Sequence, residues 1–266
     1  MSKRLSGKVA IITGAGRGIG FATAELFVKE SAKVAIVDLI ESRAKDAAEK
    51  LCSAQPKLGE AIGIAANVSD LVSVRKMVEE VIERFKRVDI LVNNAGVGDQ
   101  GKTFLETTPE DQDRVLGTCL IGTLNCNRAV LPYMIKQKSG SIISVISDAG
   151  RIGEPRMTIY SAAKAGIVGH TKALAKEVGE MGIRINCVSP GATETEQTLE
   201  TRKKREEKLG KEKAQELLRK AMKQYPLGRF GKPEEIASAI LFFASDESSF
   251  ITGQVLSISG GYSMVG

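Results

Sequence analysis

A chain of 266 residues with 42% hydrophobic and 26% charged side chains can fill a sizeable core, which excludes a disordered polymer. Its length suits an α/β domain of about 250 residues, and the apolar run at 9–12 after a short basic start is too brief for a leader core or a membrane span, so a cytoplasmic protein with no membrane partner is expected. The net charge of +6 comes without a basic tail or aromatic-interleaved basic patches, so no nucleic-acid partner is expected either.

Apolar, β-branched runs at residues 9–13, 34–37, 61–65, 90–92, 141–146, 183–187 and 255–258 alternate with longer amphipathic stretches. That alternation predicts βα units and therefore a doubly wound parallel sheet covered on both faces. No internal repeat or Pro-rich linker interrupts it, so residues 1–266 read as a single α/β domain.

Directly after the first run comes Thr13-Gly14-Ala15-Gly16-Arg17-Gly18-Ile19-Gly20, then a helical stretch over 21–30. A strand, a glycine-rich turn and a helix in that order aim backbone N–H groups and the positive end of a helix dipole at a pyrophosphate. Gly14, Arg17, Gly18, Ile19 and Gly20 are therefore candidate cofactor-binding residues. Asp38 closes the second run, 18 positions beyond Gly20, close to the roughly 20-residue offset at which a carboxylate accepts hydrogen bonds from an adenosine ribose. The same carboxylate would repel a 2′-phosphate, which favours NAD(H) over NADP(H). Arg17 pulls the other way, because it could pair with that phosphate.

Further along, the fourth run ends in Asn93-Asn94-Ala95-Gly96, Ser147 follows the fifth, and Tyr160-Ser161-Ala162-Ala163-Lys164 lies in a helical stretch. Between 193 and 225, Ala214, Leu217, Leu218, Ala221, Met222 and Tyr225 recur at the spacing of one helix face, which predicts an inserted helical substrate lid. Cys52, Cys119, Cys126 and Cys187 are scattered with no C-x-x-C pair, so buried thiols are expected rather than a metal site or a disulfide framework.

The glycine turn, the Asn93–Gly96 turn, Ser147 and the Tyr160/Lys164 pair, in this order and with Pro190-Gly191 beyond them, resemble the short-chain dehydrogenase/reductase family over about residues 5–261. The resemblance implies a Rossmann-type fold, hydride transfer with a nicotinamide, and a homotetramer or homodimer. It also implies that Ser147 holds the substrate oxygen, that Asn67 and Val68 flank the adenine, that Asn94 lines the cofactor channel, and that Thr193 and Thr195 hold the nicotinamide carboxamide. Asn67 stands where the family usually has Asp, and Thr193 where it usually has an aliphatic residue. Cys119 departs further, occupying the place of an asparagine whose main-chain carbonyl anchors a water connected to the lysine.

The chemistry asks for these residue types on its own terms. Tyr160 and Lys164 are four apart and share one helix face. An ammonium beside a tyrosine stabilises phenolate over phenol, as does an oxidised nicotinamide, so the hydroxyl can take or give an alcohol proton. The expected reaction is interconversion of a secondary alcohol and a ketone, with Ser147, Tyr160 and Lys164 catalytic and hydride carried by the cofactor. His170, the sole histidine, reads as an ordinary helix residue, and no G-x-S-x-G supports a hydrolase.

Residues 192–225 hold ten lysines and arginines against seven glutamates, and Arg151 and Arg156 add positive charge near Ser147. An anionic substrate follows, such as a hydroxyacyl-CoA thioester, unless those charges are only a solvated face. The alternatives are an NADPH-dependent 3-oxoacyl-carrier-protein reductase and a non-catalytic subunit of a dehydrogenase complex, although the latter would have little reason to keep Tyr160 and Lys164.

Overall fold

The computed structural model describes residues 3–54 and 59–265. The first two residues of the basic start and the terminal glycine lie outside the described residues. Strand and helix alternate from the outset: β1 (Val9–Thr13), α1 (Gly18–Lys29), β2 (Lys33–Asp38), α2 (Glu41–Ala54), β3 (Glu60–Ala65), α3 (Leu71–Phe85) and β4 (Ile90–Asn93). Next come α4 (Pro109–Leu116) and α5 (Gly122–Gln137), joined through a π-helical turn at Gly117–Ile121, then β5 (Gly140–Val145), the short α6 (Ala149–Ile152) and α7 (Thr158–Val178). The chain finishes with β6 (Ile183–Pro190), α8 (Glu196–Leu209), α9 (Lys211–Met222), α10 (Pro233–Ala244) and β7 (Val255–Ile258).

The seven strands form one parallel sheet in the order β3-β2-β1-β4-β5-β6-β7. Strands buried on both faces read as near-continuous apolar runs, and alternate residues of each run serve opposite cores. Ala10, Ile12, Val34 and Ile36 meet α1, α2 and α10 through Phe27, Leu51 and Ile240. Val9, Ile11, Ala35 and Val37 meet α3, α5 and α7 through Met77, Val130 and Leu174. β6 runs on to Pro190, past the expected 187, because Ser189 and Pro190 pair with Ser257 and Ile258 of β7. Polar and proline residues at a strand end leave no apolar signal.

Helix starts follow local chemistry. Asp70 accepts from Val72 N at 2.9 Å, and Thr108 caps α4 with Pro109 in its first turn. Each such cap stabilises by about 1 kcal/mol. The segment over 193–225 is helical as its period predicts, in two helices broken at Gly210, whose φ of 80° lies in the left-handed region that a side chain would strain. Neither helix has a fully buried residue, and Leu217 of the expected apolar face is exposed. Tyr225, placed on that face by its spacing, lies beyond the end of α9, buried and stacked on Tyr262 with ring centroids 4.8 Å apart. Among the described residues no helix is long and apolar enough to cross a membrane.

Segments with few buried contacts open first. Limited trypsin digestion should therefore cut within residues 196–222 before the rest of the chain, with the sites read by mass spectrometry. First cuts in α1 or α7 would contradict this distribution of stability.

Candidate active site

The strand order reverses at the neighbouring β1 and β4, and ligands of open α/β sheets bind outside the carboxyl ends of strands at such a point. The glycine turn follows β1, the Asn93–Gly96 turn follows β4, Ser147 follows β5 and Thr193 follows β6, so the fold gathers all four at one edge. The first two turns are laced together. Thr13 Oγ1 accepts from Asn94 N at 3.0 Å and Ala95 N at 3.1 Å, while Asn94 Nδ2 donates to the carbonyls of Thr13 at 2.9 Å and Gly14 at 3.0 Å. Asn94 therefore shapes the glycine turn directly. Gly20 is required here, since a Cβ on it would lie 2.5 Å from the Gly14 carbonyl oxygen and 2.6 Å from Asn94 Nδ2.

Arg17 precedes the first residue of α1, and Gly18, Ile19 and Gly20 form that helix's opening turn. Gly18 N donates to Glu196 Oε2 at 3.1 Å, so the turn accepts an anionic oxygen, as a pyrophosphate requires. The start of α8 thus lies over the turn, with Thr195 capping the helix by accepting from Thr198 N at 3.3 Å. Thr193 is buried, and its hydroxyl donates to Gly191 O at 3.1 Å.

Asp38 ends β2 and is 5% exposed. Its carboxylate accepts from Gly16 N at 3.3 Å, Ile40 N at 3.1 Å and Arg43 Nη1 at 3.3 Å. Beside it lies a hollow of about 270 Å³ whose lining includes Gly16, Arg17, Arg43, Lys50 and Glu196. A larger hollow, about 480 Å³, opens at the opposite edge of the sheet around Lys8, Asp89 and Arg184 and carries none of the motif residues. Asn67 is exposed, its Oδ1 accepting from Ser69 N at 3.1 Å and Ser69 Oγ at 2.7 Å. Val68 packs its side chain into the core towards Gly122, which leaves an adenine only its backbone.

Tyr160 and Lys164 come together on α7 as their spacing requires, with Lys164 Nζ 5.4 Å from the centre of the Tyr160 ring. Lys164 is 3% exposed and donates to Val145 O, the last residue of β5, at 2.7 Å. Ser147 Oγ accepts from Ala149 N at 3.2 Å just beyond that strand. Cys119 sits in the π-helical turn, where Gly122 N reaches back to Gly117 O. Such bulges recur at functional sites because they displace a carbonyl from the regular ladder. The Cys119 carbonyl accepts from Thr123 Oγ1 at 2.8 Å, and Cys119 Sγ donates to Val97 O at 3.4 Å. A Cβ built on Gly96 would lie 3.5 Å from Lys164 Nζ and 3.6 Å from Cys119 Sγ, so ammonium and thiol flank the same glycine.

A family model described as enoyl-(acyl carrier protein) reductase matches residues 14–263, nearly the whole of this arrangement. The chain belongs to the short-chain dehydrogenase/reductase family. It is 45% identical over 258 residues to the 3-oxoacyl-(acyl-carrier-protein) reductase FabG of Thermotoga maritima, covering 97% of this chain and 98% of that protein. To the 3-oxoacyl-(acyl-carrier-protein) reductase of Synechocystis sp. it is 39% identical over 263 residues, 98% of each. The crystal structure of levodione reductase matches with a TM-score of 0.90 at 32% identity, covering 97% of this chain and 98% of that one. This short-chain dehydrogenase/reductase is thus an oxidoreductase with the nicotinamide-binding fold of its family.

Several residues around the site, some of them singled out in the sequence, are committed to structural contacts. Asp148 is buried and accepts from Ser189 Oγ at 2.6 Å and Ser257 Oγ at 3.2 Å, bracing β6 against β7. Arg151 lies 4.0 Å from Asp148 and donates to the Val265 carbonyl, so its charge ties down the carboxyl-terminal segment. Arg156 donates to Gly101 O at 3.0 Å. His170 contacts Asn127 Nδ2 at 2.9 Å, and burial pushes its imidazole below the usual range. Burial also pushes the Cys126 thiol up to about 12 and that of Cys187 to about 11, so neither is a nucleophile at neutral pH.

The family signature missed three residues at the site. Arg43 pairs with Asp38, Glu196 reaches the glycine turn, and Asp99, 2% exposed, accepts from two backbone N–H groups of α7. Glu196 and Asp99 act across a distance in sequence, where no periodicity or cap pattern points to them, and Arg43, five residues beyond Asp38, reads as an ordinary charge on the solvated face of α2. For Cys119 the backbone carbonyl already has the placement a π-turn supplies. Cys119→Ser and Cys119→Asn should therefore leave kcat within a few-fold in steady-state assays. A rise of about tenfold in Cys119→Asn, or ~1.4 kcal/mol off the barrier, would mean the missing amide matters.

Proposed function

We propose that this chain is a nicotinamide-dependent reductase of 3-oxoacyl thioesters, acting on the ketone with Tyr160 as proton donor. The observation that carries the reading is the pairing of Tyr160 with the buried Lys164 at the edge of the sheet where the glycine turn lies. The names of the carrier-protein reductases it resembles supply the substrate class. The candidate lid over 193–225 would cover the acyl chain.

When bound, the nicotinamide supplies the hydride. The backbone of Gly14, Gly18, Ile19 and Gly20 would cradle the pyrophosphate, with Arg17 beside it. Asn67 and Val68 would border the adenine, and Asn94 holds the turn in shape. Thr193 and Thr195 would orient the nicotinamide. Ser147 would donate to the substrate carbonyl oxygen as charge develops there. Tyr160 would give that oxygen its proton, and the ammonium of Lys164 would offset the resulting phenolate and help hold the nicotinamide ribose.

Asp38 argues for NADH. Two like charges 4 Å apart repel by about 4 kcal/mol at an effective dielectric near 20. Even a third of that surviving solvent screening and the attraction of Arg17 and Arg43 gives about tenfold. With a 3-oxoacyl thioester as substrate, kcat/KM for NADH should exceed that for NADPH at least about tenfold. The reverse preference would mean that Arg17 and Arg43 outweigh the carboxylate. Running the acyl group on a carrier protein, on CoA and on a truncated thiol separates the substrate classes, and turnover of small free ketones alone would replace the thioester reading.

Tyr160→Phe removes a hydroxyl and little else. It should lower kcat by about 10²-fold or more while dinucleotide affinity, read by titration calorimetry, largely survives. A near-normal kcat would remove Tyr160 from the chemistry.

A further inference from the structure

The loop that leaves β4 carries Asp99, whose carboxylate is used in a way the family signature does not cover. Oδ2 accepts from Ile159 N and Oδ1 from Tyr160 N, both at 3.0 Å. These are the second and third residues of α7. The first N–H groups of a helix have no partner within it and need one from outside. Met157, which precedes the helix, offers no side-chain cap, and Arg156 before it has a φ of 64°. Asp99 therefore caps the helix from sixty residues away. Among the described residues no cation lies within ion-pair distance of Asp99, so the buried carboxylate rests on those two N–H groups and the positive end of the helix dipole.

Lys164 and Tyr160 are anchored differently. Lys164 lies a turn deeper and is fixed by its own bond to Val145 O. Tyr160 lies in the first turn, the part of a helix that frays, and among the described residues its hydroxyl has no hydrogen-bond partner. The polar bond that holds this residue from outside the helix is the one from its N–H to Asp99. The same loop is tied to its surroundings through Arg156 Nη1 to Gly101 O at 3.0 Å and Arg114 Nη1 to Gly98 O at 3.3 Å. Movement of the loop is therefore transmitted to the tyrosine's backbone.

We infer that Asp99 is a positioning residue for the reaction: by capping α7 across the fold it sets where the Tyr160 hydroxyl stands relative to the substrate oxygen. This rests on the reading of Tyr160 given above. A displacement of about 1 Å at a reacting group can cost about 10²-fold in rate.

The test compares Asp99→Ala and Asp99→Asn, each alone and combined with Tyr160→Phe. Asp99→Ala should lower kcat by about 10- to 100-fold, with dinucleotide Kd within about threefold of the parent. Amide exchange should quicken at Ile159 and Tyr160 and stay unchanged in the far half of α7. Asp99→Asn keeps one acceptor and should fall between. Combined with Tyr160→Phe, Asp99→Ala should change the residual rate less than about twofold, because a positioning residue has nothing left to position.

A lowered Tm with kcat per folded molecule unchanged would overturn the inference, since the cap would then serve stability alone. A strongly slowed Tyr160→Phe whose residual rate Asp99→Ala still lowers by its full factor would overturn it while leaving the role of Tyr160 standing. If Tyr160→Phe alone is near normal, the proposed chemistry fails and this inference falls with it. Should Asp99→Ala not fold, the same comparisons are made with Asp99→Asn.

Discussion

The ammonium of Lys164 is taken out of water at the end of β5, where an unpaired charge would be too costly to keep. The Val145 carbonyl meets part of that demand, and it is available because β5 ends there. Close packing does the rest. A Cβ on Gly150 would lie 2.6 Å from Lys164 Cβ, so α6 leaves no room for the helix to shift. Helix α7 is thereby pinned to the sheet at one register, and with it the face that Tyr160 shares. The substitution at Cys119 sits on the other side of the same ammonium, across Gly96, and leaves this pinning intact.

Much of this was legible in the sequence, for reasons that can be named. The parallel sheet was visible because strands buried on both faces must be apolar throughout, as Val9–Thr13 and Lys33–Asp38 nearly are. The glycine turn was visible because close packing excludes side chains, as Gly20 illustrates. The helical segment over 193–225 was legible only in part. Its period held for 214–222, but the break at Gly210 and the exposure of both helices depend on what they pack against. A charge near Ser147 in sequence says nothing of the contacts Arg151 makes in space with Asp148 and the terminal segment. Asp99 was silent because its cap is sixty residues from the helix it serves.

The resemblance to carrier-protein reductases and the acidic end of β2 bear on different parts of the reaction. Under the proposed reading the first concerns the acyl group, which would lie at the ends of β4, β5 and β6, and the second concerns the adenosine, which would lie across β1 and β2. These surfaces are joined by the glycine turn but draw on separate loops, so one can change without the other. Asn67, held in a local hydrogen-bonded bend by Ser69, would belong to the adenosine side as well under that reading.

The carboxylate of Asp38 holds Gly16 N, Ile40 N and Arg43 together, so it braces the loop after β2 against the glycine turn whether or not a ribose is present. Under the proposed reading, the group that tells one nicotinamide pool from the other is also a structural strut. Replacing Asp38 by a residue with no acceptor oxygen, such as alanine, would leave the Gly16 and Ile40 amides without their acceptor and Arg43 without its partner. On that reading, coenzyme choice would be mechanically coupled to the integrity of the phosphate cradle. A lineage exchanging one pool for the other would have to rebuild the strut in the same step, which makes drift by single substitutions a poor route.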